Sequence, residues 1–207
     1  ALLAVLCIFV LVGQSRSVIT LILAGVAINA IGGALIALAL NFAASPYAMQ
    51  EIVFWLLGSV ANRSFREVQI ALPFMLLGWV MILYCGRFLN ALTLGEETAR
   101  SLGFDVTRQR LLLILGVAAS VGAAVSVSGN IGFIGLVVPH LVRPLVAYEP
   151  RRLLLASGLV GAILLLLADI AVQSLSTASE MKLGVITALV GAPFFLLLIL
   201  RSRNALQ

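Results

Sequence analysis

Residues 17–50 carry no charged side chain. A helix needs about 20 apolar residues to cross the hydrocarbon of a bilayer, and residues 18–42 supply them. Four further runs meet or approach that length: 68–86, 111–128, 153–176 and 183–200. Residues 131–147 follow a break at Gly129–Asn130 and make one more. Residues 1–12 are apolar too, but short, and read as a span cut at its N-terminal side. Seven spans are therefore expected, the first incomplete. Backbone groups in lipid must be satisfied within the segment, so each span should be a helix.

Composition agrees. The chain has 207 residues, of which 62% are hydrophobic and 10% charged. Soluble domains are about 25% charged, so a soluble enzyme, a disordered tail and a disulfide-rich secreted module are all excluded. The two cysteines, Cys7 and Cys85, lie inside apolar runs and read as small buried residues, not a disulfide framework. The fold class that follows is all-α, a polytopic transmembrane helix bundle forming a single domain over 1–207.

Charge sets the orientation. Net charge is +5, and arginine dominates the basic residues, with Lys182 the only lysine. In a soluble chain this balance would suggest nucleic acid; here it reads as arginines at membrane edges, with no nucleic-acid partner. Alternating spans put Arg16, Arg87, Arg100, Arg108, Arg110, Arg143, Arg151, Arg152, Arg201 and Arg203 on one side and Arg63, Arg66 and Lys182 on the other. The positive-inside rule makes the first side cytoplasmic. The C-terminus is then cytoplasmic, and residues 43–67 and 177–182 face outward.

Small residues at four-residue spacing let membrane helices approach closely. Gly116, Ser120, Ala124 and Ser128 make one such face; Gly184, Ala188 and Ala192 a second; Gly25, Asn29 and Gly33 a third.

The inner segment 87–110 carries the sharpest pattern. Thr93 and Glu96 have the spacing of a capping box. Glu96 and Arg100 form an i,i+4 pair in the favourable order. Gly103 is placed to end a helix, and Asp105 to cap the next. A short self-contained helix is expected over 93–103, in the cytoplasm, where apolar Leu94, Ala99 and Leu102 have no lipid core to enter; it is either a folded connector stabilised only by its own caps or a docking element for a cytoplasmic partner.

Asp169 lies inside a span, and an intramembrane carboxylate is a functional hypothesis by default. It would be the basis of an ion-coupled secondary transporter. The plainer reading is a carboxyl bonded to neighbouring Ser, Thr or backbone groups near the outer end, since no second intramembrane acid is there to form a relay. His140 is the only histidine, so a histidine-rich metal site is excluded; a hydrogen bond within the bundle is expected for it. No metal site and no cofactor are expected. Gly129, Gly132 and Gly135 have the spacing of a dinucleotide fingerprint without its preceding strand, and read as a break between spans.

Gly95-Glu96-Glu97-Thr98-Ala99-Arg100-Ser101-Leu102-Gly103 resembles the coupling loop of bacterial ABC-importer permeases of the iron–siderophore, haem and cobalamin (FecCD-type) family. Five other stretches fit that family in the same order: 21–27, Trp55-Leu56-Leu57-Gly58-Ser59, 132–140, Leu167-Ala168-Asp169 and 184–195. The matches run over nearly the whole chain. The resemblance implies a type II ABC importer permease-like fold in which about seven of ten spans are present, with about 100 residues in front at about 20 per span.

It also implies a mechanism. Two permease copies pair around a central path in the bacterial cytoplasmic (inner) membrane. Each docks one cytoplasmic ABC ATPase subunit, so that ATP hydrolysis belongs to the partner and the permease is no enzyme. An extracytoplasmic substrate-binding protein delivers the cargo. By resemblance Gly95, Glu96, Glu97, Ala99, Arg100, Leu102 and Gly103 contact the ATPase. The stretch holding Ser15, Ser17 and Thr20 forms the cytoplasmic gate, with Asn29 on the pathway. Arg63, Arg66 and Lys182 are candidates for docking the binding protein. Gln173 and Lys182 stand where the family tends to have arginine and proline. The alternatives are a permease for bare metal ions, which lacks a ligand cluster here, and the secondary transporter built on Asp169.

Overall fold

The structure, a computed structural model, describes residues 18–175 and 181–204. Nine α-helices follow in order among them: α1 (Val18–Asn41), α2 (Pro46–Leu57), α3 (Phe65–Tyr84), α4 (Gly86–Leu92), α5 (Glu96–Ser101), α6 (Val106–Ser128), α7 (Ile134–Val142), α8 (Pro150–Leu175) and α9 (Leu183–Asn204). A 3-10 turn, Arg143–Val146, extends α7. The expected first span, 1–12, and Cys7 lie outside the described residues.

Among the described residues, four helices are long and apolar enough to cross a membrane: α1, α3, α6 and α8. Their starts follow local chemistry. Ser64 and Glu67 form a full capping box on α3, the Glu67 carboxylate accepting from the Ser64 amide at 2.7 Å. Asp105 caps α6 by accepting from the Arg108 amide at 3.1 Å, as its position predicts.

The most extensive packing among the described helices is between α3 and α6. A Cβ added at Gly78 would fall onto the Gly116 carbonyl oxygen and within 2.8 Å of Ser120 Cβ. The two backbones touch because Gly78 and Gly116 meet at the crossing and neither carries a side chain. Ser120 is buried there, and its hydroxyl donates to the Gly116 carbonyl at 2.9 Å. The expected small-residue face of α6 is thus in use. Among the described residues, the face of α1 is not: a Cβ at Gly25 or Gly33 would meet nothing within 4 Å.

Residues 43–67 contain a helix that the hydropathy reading did not mark, α2, whose Ser45 cap and first-turn Pro46 are ordinary helix-start signals. One expectation needs correction. Residues 131–147 are not a full span. The chain after α6 stays non-helical to Phe133, whose φ is 64°. A Cβ at Gly184 would lie 3.0 Å from the Asn130 carbonyl oxygen, and one at Gly191 would strike Phe133. Since α9 rises about 1.5 Å per residue, residues 130–133 descend roughly 10 Å along it. Only then does α7 begin, so it comes out short.

Backbone groups that leave a helix must find partners elsewhere. Here three chain breaks satisfy one another. The Ser59 amide donates to the Ser128 carbonyl at 2.7 Å, Asn130 to Trp55 at 3.0 Å, and Gly184 to Gly58 at 3.2 Å. Gly58 and Gly129 have φ of 62° and 69°, a region that favours glycine.

Candidate coupling site

At the arginine-rich end, α4, α5 and the start of α6 build a small core. Phe88 and Ala99 are fully buried, with Ala91 and Val106 beside them. The Phe88 and Phe104 rings are tilted, 5.9 Å between centroids. Residues 85–105 link two long spans, so this core sits beyond them. Water exclusion therefore drives it, at about 1.5–3 kcal/mol for a fully buried large side chain.

α5 is clamped at both ends. At its C-terminus the Gly103 amide donates to Arg100 at 2.9 Å and the Phe104 amide to Ala99 at 3.1 Å. That pair of bonds is a Schellman motif, and Gly103 has the required positive φ, 86°. At its N-terminus the structure corrects the expected capping box. Gly95 is the N-cap, with φ 108° and no side-chain bond. The Thr93 hydroxyl turns back and donates to the Asn90 carbonyl at 2.7 Å. The helix accordingly covers Glu96–Ser101, not 93–103.

Glu96 is free for another role. One carboxylate oxygen takes the Arg100 guanidinium at 2.8 Å, as expected, and the other takes Arg110 of α6 at 2.8 Å. Partial desolvation raises its pKa, but Arg110 and Arg100 together outweigh this and hold the carboxyl below the usual carboxylate range. The second partner was missed in the sequence because it depends on where α6 begins in space.

The seven coupling candidates now divide. Ala99 faces the chain's own core and cannot touch a partner. Glu96 is half-buried between two arginines. Gly95, Glu97, Arg100, Leu102 and Gly103 are exposed, and Leu94 joins them. Leu94 and Leu102 are 68% and 59% exposed although nothing in water favours that. Glu97 makes no ion pair among the described residues. A shallow depression of about 440 Å³ runs along Leu94, Glu97 and Thr98.

Of the gate candidates, Ser15 and Ser17 lie outside the described residues, as does the side chain of Thr20. Asn29 is exposed on the open face of α1.

At the opposite end, two docking candidates converge on one ring. Lys182 Nζ lies 4.0 Å from the Phe54 centroid and the Arg63 guanidinium 5.5 Å from it. Arg63 also pairs with Glu67 at 3.6 Å. Arg66 is exposed and makes no ion pair among the described residues. Asp169 accepts from Gln173 of its own helix at 2.7 Å, and both line a cavity of about 340 Å³ with Ser59, Asn62 and Lys182. His140 is exposed, and the expected bond within the bundle is not formed among the described residues. No group of three metal-ligating side chains occurs among them.

Comparison with known proteins places this arrangement. The family model described as the FecCD transport family matches residues 1–201. The chain is 42% identical over 184 residues to the hemin transport system permease protein HmuU of Yersinia pestis, covering 89% of this chain and 55% of that protein. It is 39% identical over 188 residues to the vitamin B12 import system permease protein BtuC of Vibrio cholerae, with coverage of 89% and 55%. It spans about half the length of these curated relatives. Among solved structures, the inward-facing conformation of a metal-chelate type ABC transporter superposes with a TM-score of 0.86 at 34% identity, covering 95% of this chain and 63% of that one.

Proposed function

The chain belongs to the FecCD transport family, and from that we propose that it is part of the permease of an ATP-driven importer for iron–siderophore, haem or cobalamin-type cargo. It is a multi-pass membrane protein of a transport-permease family. The rest is our reading: it lies in the inner membrane with a cytoplasmic C-terminus, pairs with a second copy, docks an ABC ATPase from inside and receives cargo from a binding protein outside.

One observation carries the proposal. α5 is held by its own core, its own cap and the paired arginines of Glu96, so the remaining faces of a six-residue helix are not consumed by folding. What stays exposed is an acidic and apolar surface around Glu97 and Leu102. A rigid helix with such a surface moves as a body when its partner moves, and packed helices respond to that by switching between discrete arrangements. Asp169 accepts from Gln173 of its own helix, which favours the plainer reading of that carboxyl over the secondary-transporter reading.

The test is capture from native membranes. The full chain should bring down an ATPase subunit, and Glu97→Arg or Gly103→Pro should lose it while the chain still inserts. An intact chain that brings down no ATPase would overturn the proposal.

A further inference from the structure

Asn90 joins two parts of the chain that its sequence position does not suggest. Its amide nitrogen donates to Glu149 at 3.1 Å, and its side-chain oxygen accepts from the Arg151 backbone amide at 3.0 Å. Arg151 is in the first turn of α8, where four amides lack helical partners. Asn90 therefore caps α8 from 61 residues away. Glu149, held from the other side, pairs with Arg152 at 2.6 Å. A Cβ at Gly86 would lie 3.0 Å from the Arg151 side chain, so α4 rests directly on the start of α8.

α4 is two turns long and has two occupied faces. Phe88 and Ala91 hold α5 through the small core. Gly86 and Asn90 hold α8. From this geometry we propose that Asn90 is a positioning residue for coupling. It passes displacement of α5, through α4, to the N-terminus of α8. α8 is 26 residues long, about 39 Å at about 1.5 Å per residue. Its far end carries Asp169 and Gln173, which face the cavity beside Ser59 and Lys182. A shift at the coupling end thus reaches the opposite end along one rigid rod. The proposal rests on the permease reading above.

The pattern of donors makes it testable by exchange. Asn90→Asp keeps the acceptor for the Arg151 amide but sets a carboxylate against Glu149. Glu149→Gln restores a donor, since the glutamine nitrogen can donate to the carboxylate introduced at position 90 while its oxygen still accepts from Arg152. In proteoliposomes holding the complete importer, we expect N90D to lower cargo moved per ATP hydrolysed by about fivefold. ATPase docking and hydrolysis should persist. The double variant N90D/E149Q should recover to within about twofold of the unsubstituted assembly. An unchanged ratio in N90D would overturn the proposal. So would a double variant no better than N90D while melting like the unsubstituted chain. Absence of uptake by the unsubstituted assembly would overturn the permease reading and this proposal together; uptake that N90D leaves intact overturns this proposal alone.

Discussion

Glu96 and Arg110 stand fourteen residues apart in the chain and meet at 2.8 Å. The contact ties the short helix α5 to the first turns of α6. With Arg100 on the second carboxylate oxygen, it sets the angle at which α5 leaves the bundle. Exposed ion pairs contribute little stability singly; here the value lies in orientation.

The pair gives a pH dependence with a fixed sign. Desolvation works against the lowering, but Arg110 and Arg100 keep the folded-state pKa of Glu96 below its ordinary 4.5. Its contribution is present above the ordinary value and lost as pH falls through the lower folded one. Hydrogen exchange in 96–101, corrected for intrinsic rates, should lose protection below about pH 4.5. Glu96→Gln should be slightly less protected at neutral pH and show no such step.

Gly103→Ala should loosen the end of α5. Its φ of 86° disfavours a Cβ by about 1–2 kcal/mol. Limited proteolysis around 102–105 should accelerate, and ATPase capture should weaken without loss of membrane insertion.

Gly78→Ala and Gly25→Ala should behave oppositely. The first puts a methyl onto the Gly116 carbonyl oxygen, while the second meets nothing. Overpacking costs about 1–3 kcal/mol; Gly78→Ala should fall at the upper end because a backbone atom cannot rotate aside. Melting in detergent should drop for Gly78→Ala and stay unchanged for Gly25→Ala.

The open α1 face, the clamped helix α5 and the spans themselves differ in how far the sequence revealed them. Long apolar runs and the caps at Asp105 and Gly103 are local signals, so α1, α3, α6, α8 and the end of α5 were legible. Thr93 misled because a capping box needs backbone geometry as well as spacing, and Gly95 at φ 108° takes the cap position. The α2 helix was missed although Ser45-Pro46 announced it; its apolar run is simply too short to span. The short α7 could not be read, because hydropathy does not distinguish an extended apolar strand of backbone from a helix. Arg110 on Glu96 and Asn90 on Glu149 were invisible, since each depends on where another helix begins. Ala99 fits the coupling motif by position, yet it serves the core.

Arg66 is exposed at the end opposite α5. On the proposed importer reading, Arg66→Glu should slow association with an extracytoplasmic binding protein about tenfold at low salt, and less at high salt, as rim charges act mainly on encounter. Arg63→Glu should do more, since Arg63 also contacts Phe54 and Glu67. Stopped-flow binding at two ionic strengths would measure both.

Asp169→Asn should leave ATP-driven uptake within about twofold, because an amide oxygen still accepts from Gln173. Loss of uptake with ATPase coupling retained would instead give the carboxyl a part in transport.

The most direct measurement is uptake by the full chain, reconstituted with its captured partners in proteoliposomes, with ATP and an ion gradient supplied separately. Accumulation of a chelated iron, haem or cobalamin cargo with ATP and no gradient is the expected result. Accumulation driven by a proton or sodium gradient without ATP would contradict the importer reading.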